Sequence, residues 1–137
     1  MSRTRSYRKI VRLLKQLDVT SVEVKGSSVR VFLEGISFPS HTMVVKEHVP
    51  YVGHWLRTKK QVEIDDDIKR EHFEKSIALH EVLERYFMRT GIWKLPYKYA
   101  HSISHEIEKK WHIRNYGLES WKEYTRLVER VYEIEKR

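Results

Sequence analysis

The chain has 137 residues, 40% of them hydrophobic and 12% aromatic, which excludes a disordered polypeptide and leads us to expect a domain with its own core. It contains no cysteine, so disulfides and thiolate metal sites are excluded, and any bound metal must use histidine, aspartate or glutamate. The formal net charge of +8 favours an anionic partner such as nucleic acid.

The first half of the chain predicts one helix followed by strands. Apolar residues at helical spacing indicate an amphipathic helix over about residues 5–17. The period then changes to two on both sides of Gly26–Ser28, which predicts a β-hairpin over about residues 22–33. Alternating apolar and polar residues predict two further strands, at about residues 42–46 and 61–64.

The second half of the chain predicts three helices. They are preceded by an aromatic segment, residues 49–58, which we expect to be a loop or an irregular edge of the sheet. Asp65–Asp67 is typical of an N-terminal cap and Gly91 of a C-terminal cap, so the first long helix is expected between them. Two further helices are expected over about residues 96–114 and 118–135.

Together these elements predict an α+β fold with an N-terminal helix, a small antiparallel sheet and three C-terminal helices. The sheet is expected to contain the hairpin plus one or two strands. We expect a single domain over residues 1–137, with the helix and the sheet in about residues 1–65 and the helical part in about residues 66–137. No apolar run approaches the ~18 residues of a membrane helix, and the basic N-terminus does not resemble a signal peptide, so a cytoplasmic, intracellular protein is expected.

The first long helix carries histidine and glutamate where a soluble helix normally has apolar residues. His80 and Glu84 continue the line of Ile77 and Phe87, because these residues are three or four positions apart. A glutamate in such a line is costly unless its charge is neutralised or coordinated. The pattern therefore indicates a functional site on the buried side of this helix.

The next helix repeats the pattern with His101, His105 and Glu108 on one face. A short connection makes the two helices antiparallel neighbours, so both sets of side chains can meet at one point. Imidazole nitrogen and carboxylate oxygen are the ligands that Zn²⁺ accepts when cysteine is absent, which predicts a site for zinc or another divalent metal. The alternative is that the histidines are hydrogen-bonded core residues and the glutamates pair with lysines. The candidate metal ligands are His80, Glu84, His101, His105 and Glu108.

Residues 80–84 read His-Glu-Val-Leu-Glu, which is a variant of the HExxH sequence of metallopeptidases. In those enzymes a helix supplies two ligands four residues apart, and the glutamate after the first histidine is the general base. This makes Glu81 the candidate catalytic residue. Alternatively, Glu81 is a solvated residue that pairs with Arg85 or with a nearby lysine.

The stretch from Gln61 to Trp111, somewhat over a third of the chain, resembles small metallopeptidase-like proteins of phages, archaeal viruses and their hosts. The features that carry the resemblance are VEIDDDI before the helix, LHEVLE within it, a glycine-containing break, and AHSISHEIE in the next helix. The resemblance does not extend to the predicted hairpin.

The resemblance implies a role for each matched residue. Glu81 would be the base, and Glu108 would be either a fourth ligand or a residue that supports a ligand. Ser104 stands where the pattern usually has alanine, and His105 is not required by the pattern. The implied metal ligands are His80, Glu84 and His101.

The leading hypothesis is therefore a zinc-dependent hydrolase of the metallopeptidase type with a peptide or protein substrate. An edge strand at Gln61–Ile64 or Thr42–Lys46 would hold an extended peptide. One alternative is a basic nucleic-acid-binding or accessory protein in which the histidine and glutamate cluster is structural. A further alternative is a degenerate relative whose metal holds two helices together while the surface binds a protein partner. The sequence has no pattern that indicates an oligomeric state.

Overall fold

The computed structural model describes residues 3–90 and 94–135, and in these ranges four α-helices accompany a six-stranded sheet. This confirms the predicted α+β class, with a helix, then the sheet, then three helices. The helices are α1 (Arg3–Leu14), α2 (Glu71–Arg85), α3 (Tyr97–Tyr116) and α4 (Leu118–Glu135). The strands are β1 (Val19–Lys25), β2 (Ser28–Leu33), β3 (Ile36–Ser37), β4 (His41–Lys46), β5 (Gly53–Trp55) and β6 (Gln61–Asp65).

The sheet is larger than predicted, and it is mixed rather than antiparallel. Its strand order is β1-β2-β4-β6-β5, with β3 paired to β2. Strands β4 and β6 are parallel, with Thr42 beside Gln61, whereas the other pairs are antiparallel. The chain leaves β4, forms β5 on the far side of β6 and then turns back into β6, so β4 and β6 run in the same direction. The prediction of a small antiparallel sheet is therefore wrong in both size and direction.

The edge of the sheet next to the C-terminal helices is β5, which lies in the aromatic segment. A 3-10 turn at Pro50–Val52 leads into it. The sequence predicted this segment as a loop or an irregular edge, and the edge alternative is confirmed. The edge position predicted for Gln61–Ile64 is wrong, because β6 is paired on both sides. Strand β4 pairs with β6 along its length, whereas its register with β2 covers only His41 and Thr42.

The predicted hairpin is confirmed as β1 and β2. The residues Lys25 and Ser28 face each other across its end, so Gly26 and Ser27 form a two-residue turn. Gly26 has φ of 59°, a left-handed conformation that glycine adopts without steric cost and that two-residue hairpin turns require. Val29 and Val31 of β2 are fully buried and anchor this hairpin in the core.

The helices lie close to their predicted positions, except at the start of α2. This helix begins at Glu71, after an extended Arg70, rather than at Asp65–Asp67. Asp65 instead accepts hydrogen bonds from the backbone N–H groups of Val49, at 3.2 Å, and Asp67, at 2.9 Å. It therefore stabilises the loops around the end of β6. A π turn at residues 86–90 follows α2, and Gly91, the predicted C-terminal cap, lies outside the described residues.

The core lies between the sheet and α2, with α3 packed beside α2, and α4 packed against α3 and the 3-10 turn that precedes β5. Four large apolar residues of α2 and the π turn after it are at most 5% exposed; they are Phe73, Ile77, Leu83 and Phe87. Strand β5 comes very close to this helix, since a Cβ atom at Gly53 would lie 2.4 Å from Cγ2 of Ile77. Only glycine permits that approach. Within the described ranges, the model contains no helix with the length and apolar character needed to cross a membrane.

Candidate metal centre

Three side-chain atoms from two helices converge on one point. Nε2 of His80 lies 3.1 Å from Oε2 of Glu84, and both residues are on α2. Nδ1 of His101, on α3, lies 3.0 Å from the same Glu84 oxygen and 3.3 Å from Nε2 of His80. The four-residue spacing places His80 and Glu84 on one face of α2, and antiparallel packing brings His101 opposite them. These three residues are close enough to bind a metal ion.

Glu84 is held as an anion that faces the two histidines. Its side chain is 7% exposed, and Nε1 of Trp55 on β5 donates a 3.1 Å hydrogen bond to its Oε1. Burial alone would raise the pKa of Glu84, but hydrogen bonds from His80, Trp55 and His101 outweigh burial and lower the pKa. The other oxygen, Oε2, is therefore a charged donor atom directed at the point of convergence.

His80 is bonded at both ring nitrogens. Nε2 faces Glu84, while Nδ1 lies 3.0 Å from Oε1 of Glu108 on α3. Burial acts to lower the pKa of His80, but hydrogen bonds to Glu108 and Glu84 outweigh it and raise the pKa well above 6.5. In the metal-free protein the ring is thus a cation that donates to both carboxylates. Metal binding at Nε2 requires the loss of that proton, whereas Nδ1–H stays bonded to Glu108.

Glu108 was predicted as a ligand, and the structure places it behind His80 rather than beside Glu84 and His101. Its Oε2 accepts a 2.6 Å hydrogen bond from the hydroxyl of Ser76, and the hydroxyl of Tyr124 also bonds to this carboxylate. Carboxylates commonly hold a ligating histidine through its second ring nitrogen. The geometry therefore favours Glu108 as the residue that orients His80, which is one of the two roles left open by the sequence.

His105 lies to the side of the convergent atoms. With His80 and Glu108 it forms a second group whose candidate ligand atoms lie within 4.8 Å of one another. Its ring centroid is 6.5 Å from that of His80 and 5.6 Å from that of Trp121. Because Nδ1 of His80 already bonds to Glu108, a metal in this second group would displace that hydrogen bond. The acidic group at residues 65–67 is engaged in the loop contacts described above.

Glu81 lies beside the ligand line on α2, and it is only 7% exposed. Burial raises its pKa to about 8, with further contributions from the negative charges of Glu84 and Glu108 and an opposing one from His80. The alternative of a solvated Glu81 paired with Arg85 is wrong, because the side chain is buried and Arg85 donates instead to the backbone oxygen of Leu56.

A cavity of about 850 Å³ opens over these residues, between β5, the preceding 3-10 turn and helices α2, α3 and α4. Its charge differs from that of the chain, which has 27 Lys and Arg residues. Among the described residues, the cavity lining contains no lysine or arginine. The carboxylates in the lining are those of Glu81, Glu84, Glu108 and Glu129. The acidic side chains of the lining outnumber the cationic His80, and a cleft with a negative excess charge attracts cations.

The structure adds residues that sequence reasoning did not connect with the site. Trp55 bonds to Glu84 although the two are separated by 29 positions, and no local pattern links them. Tyr124 and Ser76 both support Glu108. In the sequence, the only signal for a polar role of Tyr124 is its hydroxyl group.

The free edge of β5 also faces this cavity. Leu56 donates its backbone N–H to the oxygen of Gln61, and backbone direction alternates along an antiparallel strand. His54 therefore faces β6, while the backbone groups of Gly53 and Trp55 point away from the sheet. The side chain of His54 bonds to Glu63, its cross-strand neighbour. In the part of the chain that the structure describes, no strand pairs with the outer side of Gly53 and Trp55, and both residues line the cavity.

Comparisons of the chain with protein-family models, with curated proteins and with solved structures find no match. The resemblance to metallopeptidase-like proteins therefore stays a prediction, and the interpretation of the site depends on its geometry and chemistry.

Proposed function

We propose that the chain is a zinc-dependent hydrolase of the metallopeptidase type. The observation that supports this most directly is the spacing of the three candidate ligand atoms, which lie 3.0 to 3.3 Å apart. A tetrahedral zinc site with bonds of about 2.0–2.1 Å separates its ligand atoms by about 3.3–3.4 Å. The side chains of His80, Glu84 and His101 are therefore already close to the arrangement that zinc requires.

The donor set supports a catalytic rather than a purely structural site. Two imidazoles and one carboxylate leave a fourth position of the ion for water or substrate. With Glu108 directed at His80, the set contains a single carboxylate, which preserves the ability of the ion to attract electrons. Held by His80, Glu84 and His101, zinc would supply a more acidic water, with a pKa towards ~7, and would polarise a substrate carbonyl.

Glu81 has the position of a general base. One residue along α2 corresponds to a rotation of about 100°, so Glu81 is beside the ligand line but not on it. Its pKa of about 8 means that it is protonated near neutral pH in the metal-free protein. A dication in the same cavity favours the carboxylate form. The carboxylate then takes a proton from water and passes it to the leaving amine.

An extended peptide is the substrate that suits the walls of this cavity. The outward backbone groups of Gly53 and Trp55 can pair with a peptide strand laid along β5. This brings the peptide beside Trp55, whose indole already contacts Glu84. The absence of lysine and arginine from the described lining makes the cavity unsuitable for phosphate groups. A nucleic-acid ligand, the alternative partner, would have to bind elsewhere on the basic surface.

The experiment that tests the proposal combines metal analysis with hydrolysis of a casein or peptide-library substrate. Wild-type protein loaded with zinc should cleave, and the Glu81→Gln variant should retain zinc while cleavage falls by roughly 10²-fold or more. A matched control is Glu106→Gln, which changes an exposed carboxylate on α3. Equal cleavage by wild type and Glu81→Gln would show that Glu81 is not the base. The absence of cleavage by zinc-loaded wild type would refute the peptidase proposal.

A further inference from the structure

A line of hydrogen bonds continues behind Glu108 and reaches a histidine that has no part in the proposed chemistry. Ser76, which bonds to Glu108 at 2.6 Å, has its Oγ 3.1 Å from Nδ1 of His112. Nε2 of His112 in turn lies 2.8 Å from Oγ of Ser120. From His80 the line therefore alternates between α3 (Glu108), α2 (Ser76) and α3 again (His112), and it ends at Ser120 in the first turn of α4.

The direction of each hydrogen bond in this line follows from donor and acceptor chemistry. Oε1 of Glu108 faces Nδ1 of His80 and Oε2 faces the hydroxyl of Ser76, so each oxygen of this carboxylate accepts from a donor. Ser76 therefore donates its one hydroxyl proton to Glu108. The hydrogen bond between Ser76 and His112 must then be donated by Nδ1–H of His112 to Oγ of Ser76. His112 is fully buried, and its other ring nitrogen, Nε2, is held by Ser120.

We propose that His112 is a positioning residue for the metal centre, which holds the hydroxyl of Ser76 on Glu108 so that His80 presents Nε2 to the ion. The inference rests on the zinc-binding part of the proposed function and is independent of hydrolysis. A serine inside a helix readily turns its hydroxyl to the carbonyl oxygen one turn earlier. The N–H of His112 opposes this rotation, because it donates to a lone pair of Oγ of Ser76 only while the hydroxyl proton points at Glu108.

Loss of His112 would act on the ion through Ser76, Glu108 and His80 in turn. Once Ser76 turns away, Oε2 of Glu108 loses one donor, and the carboxylate is held against His80 less firmly, with Tyr124 as its remaining hydroxyl donor. Nδ1–H of His80 then loses its fixed acceptor, so the ring can rotate or carry its proton on Nε2 instead. A ring with the proton on Nε2 cannot ligate through that nitrogen. Changes of this kind behind a ligand usually reduce metal affinity.

Three variants of buried histidines test the proposal in metal-loaded protein. His112→Leu removes the donor, His112→Asn keeps an N–H group near the position of Nδ1, and His41→Leu is the matched control. His41 is 2% exposed and lies on β4, outside the cavity lining. Competition with a chelator should show zinc affinity reduced by roughly 10- to 100-fold in His112→Leu and by less than about threefold in the other two.

Nitrogen-15 NMR of the histidine rings distinguishes positioning from simple packing. In zinc-loaded wild type, His80 should carry its proton on Nδ1, and His112→Leu should change the His80 resonances while His41→Leu leaves them unchanged. A zinc affinity in His112→Leu equal to that of wild type overturns the proposal. Equal losses of zinc affinity in His112→Leu and His112→Asn, with the His80 resonances unchanged, also overturn it.

A further measurement needs no variant and therefore does not depend on variant folding. Metal-free wild type should show His112 protonated on Nδ1 alone, and protonation on Nε2 instead overturns the proposal. Zinc-loaded wild type that cleaves no peptide would refute the hydrolase while leaving the role of His112 intact.

Discussion

Replacing Glu81 by glutamine should change how the stability of the metal-free protein depends on pH. Glutamine has the shape of the protonated glutamic acid and cannot ionise. In wild type the folded pKa of Glu81, about 8, lies above its ordinary value of 4.5. A pKa that is higher in the folded state contributes stability that is fully present below the pKa of the unfolded state. This stability is lost as the pH rises through the pKa of the folded state. Wild type should therefore lose stability relative to Glu81→Gln between these two pH values.

The size of the effect follows from the pKa. A rise from 4.5 to about 8 corresponds to at most about 5 kcal/mol of the free energy of unfolding, at about 1.4 kcal/mol per pH unit. The raised pKa of His80 and the lowered pKa values of Glu84 and Glu108 act in both proteins. The difference between wild type and variant therefore reports Glu81 together with the part of the His80 pKa shift that the Glu81 charge causes.

Urea denaturation in the presence of a chelator measures this difference. At about pH 5 the two proteins should have similar free energies of unfolding, and at about pH 9 the variant should be more stable by several kcal/mol. Glu106→Gln, at an exposed position, should follow wild type at both pH values. Identical pH dependence in wild type and Glu81→Gln would show that Glu81 is not buried in the way described, and it would remove the physical basis for its role as a base.

Three further predictions concern the metal and the strand beside it. Chelation of metal-loaded protein should lower the melting temperature, because the ion binds the folded state alone. The variants His80→Ala and His101→Ala should lose this sensitivity to the chelator, and the control His41→Ala should retain it. Zinc binding should release at least one proton per ion near neutral pH, because the raised pKa of His80 keeps Nε2 protonated in the metal-free protein. Zinc affinity should therefore decrease as the pH is lowered. Calorimetric binding heats that do not vary with the ionisation enthalpy of the buffer would contradict this. Gly53→Ala should lower the free energy of unfolding by about 1–3 kcal/mol in denaturation experiments, because its Cβ would overlap Ile77, and an unchanged midpoint would contradict the described packing.

The elements that the sequence predicted well are those with local signals. The hairpin followed from alternating valines around Gly26, and α4 was predicted within its observed bounds, Leu118–Glu135. The parallel pairing of β4 and β6 could not be predicted, because it depends on how a distant segment crosses the sheet. The start of α2 was misplaced because Asp65, a residue type that favours helix caps, bonds instead to the loop at Val49.

The candidate site was predictable as far as helical spacing reaches. The four-residue interval predicted that His80 and Glu84 share a face, and the short connection predicted that His101 lies opposite. Spacing did not distinguish a ligand from a supporting residue, so Glu108 was left with two roles. Trp55 could not be connected with Glu84, because that contact exists only after β5 has packed on α2.

The position of β5 also governs the order in which the molecule assembles. This strand has three residues and pairs only with β6, which itself pairs with β4 across the connection from Lys46 to Gln61. Pairing across such a connection must first offset the entropy of closing a loop. The hairpin and the helices depend on nearer contacts and can form earlier. β5 and β6 pair locally across residues 56–60, so the wall of the cavity that β5 forms is completed when this pair docks beside β4.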